Sequence, residues 1–534
     1  MIAQLVNDQV IALYNCSPYE CDILNRAFSV TRPGVSYVDP NQAGLWDGVF
    51  RFYNRKRQTL ARPLLSKLRE ICNKHGLPLS VRDNRDPDLF PPSHPDTIGD
   101  DFLPGITLDP WQVRAIKRAC QVEVGLFDFP TGSGKGEIIA GICKAIPCPT
   151  VILADQTVVI DQLKARIEMR DVVEEVGVFY AGRRPNGELI AVGSIQSLTP
   201  PTKDPVRPVR TEKDTNATWK KKEEKHQIRL KAHATRVKNA RLLQKLAKNA
   251  HMLICDEADK CVSEPYKQLF RFVFKGRRRY GMSGTPFDPA KPVEAMRLQQ
   301  HLGSVIAREK RQVVEGAGRI IPVELVMLAI DGDPQESSAY DIAYREQMVE
   351  SKRLHSLITG IARRYPEDGT LILVDREELG LNLQRAFGDL GMEVPFIFGK
   401  TSKRKRNEVL RAFERREHKV VIGGKIINRG LDLNGGCENL ILATGGKLWS
   451  EFNQKVGRAV RHNRLGRGRV FDFYFRCNKY LYDHSRARLK AMVGMGYQTT
   501  VVFANGRVDG GDLITARFRV SKRLLAAGKQ RTLF

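Results

Sequence analysis

The sequence lacks what several large classes of protein require. Its ten cysteines include no C-x-x-C pair. The closest spacings, Cys16 with Cys21 and Cys255 with Cys261, have no histidine cluster beside them. That argues against a zinc framework and for reduced core thiols. No apolar run approaches the ~18 residues that a membrane-spanning helix needs, so no membrane partner is expected. The opening stretch MIAQLVNDQVIALYN has neither a basic lead-in nor a small-residue cleavage site, and a cytoplasmic location is expected. Acidic residues are also scarce: 60 Asp plus Glu face 87 Lys plus Arg, a net charge of +27. A surface this basic gains affinity for a polyanion by releasing condensed counterions, so nucleic acid is the expected partner. Charge alone does not separate DNA from RNA.

What is present is a long globular chain. At 534 residues, with 42% hydrophobic and 28% charged residues, it should hold two to four domains. Residues 1–95 form a first unit, closed by the proline-rich RDPDLFPPSHPD. Beyond it, short apolar runs such as VGLFDF, TVILAD, HMLICD, TLILVD and NLILAT alternate with amphipathic stretches such as TVVIDQLKARIEM and EELGLNLQRAF. That alternation predicts an α/β fold with parallel sheets covered on both faces. It runs over 100–305 and restarts over 306–484, giving two successive α/β domains. Residues 200–249 break the rhythm. Between 203 and 248 there are 15 Lys plus Arg against 5 Asp plus Glu, so a protruding basic insertion is expected. A basic tail is expected over 485–534.

The chemistry concentrates in LFDFPTGSGKGEI, residues 126–138. A strand, a glycine-rich turn and a helix start would direct backbone N–H groups and the positive helix end at phosphate oxygens. Thr131, Gly132, Ser133 and Gly134 form the turn, and Lys135 adds a point charge for the outer phosphates. Two positions depart from the strict phosphate-loop pattern. Phe129 stands where its first glycine would be, and Gly136 stands where a Ser or Thr hydroxyl would help hold magnesium. A plain glycine turn between strand and helix is the alternative. MLICDEADK then places Asp256 and Glu257 just after a second buried strand. In a doubly wound sheet both strand ends open on the same edge. Asp256 would hold Mg2+, mostly through water, and Glu257 would orient or deprotonate an attacking water.

With these two motifs the chain resembles the superfamily-two helicases and translocases, and the likeness extends along most of its length. LDPWQVRAI is similar to the segment ahead of the phosphate loop, with Gln112 matching the adenine-reading glutamine. ADQTVVIDQLKARI and IAVGSIQSL, the latter with Gln196, resemble the strand-contacting motifs. GMSGTPF resembles the coupling motif, with Ser283 and Thr285. IFGKTSKRKRNEVLRAF and KIINRGLDL, the latter with Gly430 and Asp432, are similar to motifs of the second domain. EFNQKVGRAVRHNRLG resembles the last motif, with Gln454, Gly457, Arg458 and Arg461. The resemblance implies two RecA-like motor domains, ATP and Mg2+ as cofactors, and Arg458 and Arg461 as arginine fingers. Those two arginines, three apart on one helix, would share a face.

The flanks resemble the UvsW/XPB-like group of branch-migration and repair helicases. The coupling motif reads S-G-T rather than S-A-T, which sets it apart from RNA helicases of the DEAD-box type. LWDGVFRFYNRKRQTLARPLL is similar to the small DNA-binding domain that precedes the motor in that group, with Trp46, Asp47 and Gly48 matching its turn. Alternation puts Phe50 and Phe52 on one strand face and Arg51 on the other. Arg51, Arg55, Lys56 and Arg57 would then meet phosphates. Core aromatics with merely solvated basic residues are the alternative. The expectation is therefore an ATP-dependent DNA helicase acting on branched or forked DNA, in the host cytoplasm or nucleoid for a phage-encoded chain. An RNA helicase, or a nucleic-acid clamp or annealing protein with a degenerate ATP site, are the alternatives. The closing QRTLF, with Gln530, Leu533 and Phe534, resembles the peptides that dock on the bacterial sliding clamp.

Overall fold

The computed structural model describes residues 1–32, 47–85, 95–212, 214–288, 291–330, 339–424, 436–446, 456, 463–494, 497–503 and 516–520. They fall into two compact units divided in the sequence at Glu309 and Lys310, except that Thr131–Ser133 groups with the second.

The first unit opens with a five-stranded sheet. Its order is Tyr53–Asn54, Thr59–Ala61, Val10–Tyr14, Ile2–Leu5 and Ser80–Asp83, antiparallel except for the last pair. The helices Pro18–Ala27 and Leu65–Lys74 lie with it, the first started by a Ser17/Glu20 capping box. Phe28, Phe52, Tyr53, Leu60 and Leu68 fill the core, and Val293 and Met296 of a later helix, Pro292–Leu302, enter the same cluster. A charged knot secures the joint. Glu123 accepts from Arg62, which is 5% exposed, from Arg277, and from Arg85 at 3.1 Å. The small sheet is thus packed onto the α/β layer that follows it within the first unit.

That layer is a seven-stranded, wholly parallel sheet. Across it run Gly177–Phe179, Ile190–Gly193, Thr150–Leu153, Met252–Asp256, Arg278–Ser283, Val124–Asp128 and Val305–Arg308. The inner strands are buried apolar runs because helices cover both faces. Register fixes the levels at which the loops leave. Asp256 pairs with Met282, and Ser283 pairs with Asp128, so three adjacent strands end together on one edge.

The expected basic insertion is largely one helix, Asn216–Asn249, 34 residues or ~51 Å long. Lys220, Lys221, Lys222 and Lys225 are exposed, but Ala240, Leu243 and Ala247 are buried in the core against the sheet. The carboxyl-terminal end therefore packs, which the charge count obscured.

The second unit holds an eight-stranded sheet. Its order is Phe396–Ile397, Val420–Gly423, Thr370–Val374, Asn439–Ala443, Gly468–Phe475, Val323–Ile330, Gln498–Phe503 and Ala516–Val520, parallel until the last, antiparallel pair. The fold is as expected: two RecA-like parallel-sheet domains preceded by a small α/β region. One reading needs correction. Residues 479–494 form a helix and 498–503 a strand beside Val323–Ile330, so 485–494 and 498–503 are elements of the second α/β unit and not of a tail. Val501, Val502 and Phe503 supply the β-forming character that the count of basic residues hid. Among the described residues no helix is long and apolar enough to cross a membrane. All ten cysteines are unbridged, and all but Cys16 are buried.

Candidate nucleotide site

The strand Val124–Asp128 ends the apolar run and delivers the chain into the glycine turn. Gly132 (φ 90°) and Gly134 (φ 80°) adopt left-handed backbone that side chains disfavour, and the helix Lys135–Ala145 starts directly behind them. Gly134 is required for a second reason: a Cβ there would overlap the Gln112 amide nitrogen. Gln112 is 4% exposed and closes a capping box with Asp109, whose backbone N–H donates to its Oε1 at 2.8 Å. The glutamine expected to read adenine is thus fixed at a helix start with its amide against the phosphate turn.

Lys135 Nζ donates to the carbonyls of Phe129 (3.3 Å) and Pro130 (3.4 Å), long contacts that phosphate oxygens could replace. Burial pulls its pKa below the ordinary lysine value, while the charges of Asp256, Glu257, Asp259 and Asp128 push it back up. The lysine and both carboxylates of the acidic motif are therefore in one electrostatic neighbourhood. Burial raises the pKa of Asp256, with the Lys135 charge opposing it. Glu257 takes a left-handed backbone (φ 54°), uncommon for a residue with a side chain and typical of functional turns. It is ion-paired with Lys260, whose Nζ also reaches Asp155 at 2.8 Å. Burial works against the Lys260 ammonium, yet Glu257 and Asp155 outweigh it and its pKa rises.

Two further links join the acidic motif to the neighbouring strand. Ser283 is 3% exposed and its hydroxyl donates to Asp259 at 3.1 Å. The Thr285 backbone N–H donates to the same hydroxyl at 3.1 Å. Asp259 has its pKa raised to about 6 by burial and then by the Glu257 charge, with the Ser283 hydrogen bond opposing.

The arrangement fits a nucleoside triphosphate carried with magnesium. It offers a cation, a helix start and a glycine turn for phosphates, and a carboxylate at a strand end for the metal. Magnesium needs only one or two protein carboxylates and keeps several waters. Bound magnesium would neutralise charge on the outer phosphates; Asp256 is placed to hold it.

Of the other expected residues, Gln196 follows a strand of the same sheet, two strands away from the one that ends in Asp256. Gln196 is exposed on a short helix, Ile195–Leu198, directly after the strand Ile190–Gly193. Arg51 is exposed on the strand Val49–Arg51, which pairs antiparallel with Ser29–Thr31 in a separate two-stranded sheet, and Arg55, Lys56 and Arg57 are exposed on the turn between Tyr53–Asn54 and Thr59–Ala61, while Phe50 and Phe52 pack inward. Arg51 pairs with Asp47, and Arg55 with Asp22 at 2.8 Å, exposed pairs that solvent screens and that exchange readily for phosphate. Trp46, Gly430, Asp432, Gln454, Gly457, Arg458, Arg461, Gln530, Leu533 and Phe534 lie outside the described residues. The residue reading missed Asp155, Asp259, Lys260 and Arg166. Asp259 was visible as the last letter of the DEAD string; the others carry no local signal.

Residues 105–288 match the family described as the res subunit of type III restriction enzymes, and residues 351–463 match the helicase conserved C-terminal domain. No curated protein matches the chain. Among solved structures, phage T4 UvsW aligns over 95% of this chain and 99% of its own at 13% identity and a TM-score of 0.40. A fragment of an HsdR subunit of a type I restriction enzyme from Vibrio vulnificus YJ016 aligns over 86% of this chain and 76% of its own, at 15% identity and 0.49. Dbp5 of S. cerevisiae, bound to RNA and ADP BeF3, aligns over 76% of this chain and 91% of its own at 14% identity and 0.44.

Proposed function

The chain carries the two domains of an ATP-hydrolysing superfamily-two helicase, and on that premise we propose that it is a DNA helicase or translocase that works on branched or forked DNA. The observation that supports the reading best is the meeting of Lys135, Asp256, Glu257 and Asp259 at the ends of neighbouring parallel strands. In this reading Lys135 and the turn Thr131 to Gly136 hold phosphates, Gln112 reads the base, and Asp256 holds magnesium. Glu257 activates water. By the resemblance, Gly430, Asp432, Gln454, Arg458 and Arg461 carry the nucleotide-responsive motifs of the second domain. Ser283 and Thr285 transmit the nucleotide state.

DNA is favoured by the match of the first domain to a restriction-enzyme family, restriction being an operation on DNA. The exposed basic hairpin at Arg55, Lys56 and Arg57 gives phosphates a place to dock beside the motor. Gln196 would touch the tracked strand. The QRTLF terminus would tether the motor to a bacterial sliding clamp and raise its effective concentration at replicating DNA. ATP turnover measured with forked DNA, linear duplex and single-stranded RNA tests the reading. Forked DNA should stimulate most; stimulation by RNA equal to or above that by DNA would refute the DNA assignment.

A further inference from the structure

Gly136 is the feature of the phosphate loop that the reading above leaves unexplained. The backbone does not demand a glycine there. Gly136 lies in the first turn of the helix Lys135–Ala145, outside the positive-φ glycines, and is buried. A glycine inside a helix costs roughly 0.5–1 kcal/mol relative to alanine. What stands in the way of a side chain is the flexible end of Arg166, on the helix Thr157–Met169, which would have to shift to admit one. A Cβ built on Gly136 would overlap the Arg166 guanidinium, with Cζ 3.0 Å and Cδ 3.1 Å from it. The guanidinium occupies the place of the missing hydroxyl side chain.

Its charge is in surplus. Arg166 Nε lies 3.1 Å from Glu137 Oε1. The same carboxylate is already clamped by Arg170, through Nε to Oε2 at 3.0 Å and Nη2 to Oε1 at 3.2 Å. One carboxylate cannot neutralise two guanidinium groups. Glu137 holds the stem of Arg166, and the net positive charge is left one residue beyond Lys135, at the helix start. A planar guanidinium offers paired donors that match phosphate oxygens better than a point charge does. Its side chain is 40% exposed, so an incoming ligand can reach it.

We propose that Arg166 is a resident phosphate-binding cation of the nucleotide site, taking over the contact that a hydroxyl at position 136 would otherwise make through magnesium. This rests on the nucleotide-site reading and deepens it. It implies that part of the affinity for nucleotide is independent of metal, and that glycine at 136 and arginine at 166 belong together.

The test is binding of a fluorescent ADP analogue to the full chain, once with Mg2+ and once in EDTA, alongside thermal unfolding. Unaltered protein should bind in EDTA with a modest loss. Arg166→Gln should weaken binding in EDTA by about tenfold or more, the range of one charge-assisted hydrogen bond, with an unchanged melting temperature. Arg166→Lys should recover part of the loss. Gly136→Ser should displace the guanidinium and make binding depend on Mg2+, as should Gly136→Ser combined with Arg166→Gln. Binding by Arg166→Gln in EDTA within about twofold of the unaltered chain would overturn the proposal while leaving the nucleotide site standing. No binding by the unaltered chain even with Mg2+ would remove both.

Discussion

The Ser283 hydroxyl donates to Asp259 at 3.1 Å while accepting from the Thr285 backbone N–H at 3.1 Å. One hydroxyl therefore ties the loop after one strand to the acidic turn after the next. In the proposed cycle, a shift of that turn would be felt at Thr285. Ser283→Ala breaks the tie without touching Lys135, Asp256 or Glu257. ATP hydrolysis should stay within a few-fold of the unaltered chain, and strand separation per ATP should fall by about tenfold, the size of one lost buried hydrogen bond. A fluorescent unwinding assay run beside phosphate release reads both quantities.

The same contact titrates. Asp259 is protonated below about 6, against an ordinary carboxylate value of 3.8. Protonation removes the charge that holds the Ser283 hydroxyl, so coupled activity should decline as pH falls through about 6. Stability moves the other way. Between 3.8 and about 6 the folded chain binds a proton that the unfolded chain does not, so the contribution of this group is fully present below 3.8 and is lost as pH rises through about 6. Asp259→Asn should abolish the inflection in unwinding and raise the melting temperature above that pH. An inflection that persists in Asp259→Asn would assign it to another group.

Glu123 should be a structural keystone of the first unit. It meets Arg62, Arg277 and Arg85, and Arg62 has its pKa lowered to about 9 by burial and then by the Arg85 charge. Glu123→Ala strands a buried guanidinium, a change that typically costs about 3–5 kcal/mol. We expect a lower melting temperature and faster proteolysis between residues 1–85 and the sheet that follows. Glu123→Gln, which keeps hydrogen bonds but not the charge, should fall between the two.

The helix Asn216–Asn249 presents Lys225, Arg229 and Lys231 to solvent, well before its packed end at Ala240, Leu243 and Ala247. Replacing those three basic residues with alanine should weaken DNA binding without unfolding the core. Each lost phosphate contact lowers the log–log salt slope by about 0.9 on duplex DNA. An unchanged slope would leave the helix without a role on DNA.

Much of this was legible in the sequence because parallel strands buried on both faces must be continuous apolar runs. Thr150–Leu153, Met252–Asp256 and Thr370–Val374 announced themselves for that reason. That Lys135, Asp256 and Glu257 would come together was legible because phosphate chemistry constrains residue type and spacing. Arg166 was not, because its partner Gly136 is thirty positions away and only the packing of two helices joins them. The strand Gln498–Phe503 was hidden by the count of basic residues over the whole of 485–534, although no Lys or Arg lies between Lys490 and Arg507. The buried end of the long helix was hidden too: three small or apolar positions among many lysines and arginines carry little periodic signal.

The central claim is that this edge of the first sheet is a working ATPase engine despite Gly136. The most direct measurement is DNA-stimulated ATP hydrolysis by Lys135→Ala and Glu257→Gln, with DNA binding followed by fluorescence anisotropy in the same preparations. The account predicts robust turnover by the unaltered chain, a loss of about a hundredfold or more in each variant, and DNA affinity close to unaltered in both. Near-normal hydrolysis in either variant, or no hydrolysis by the unaltered chain, would contradict it.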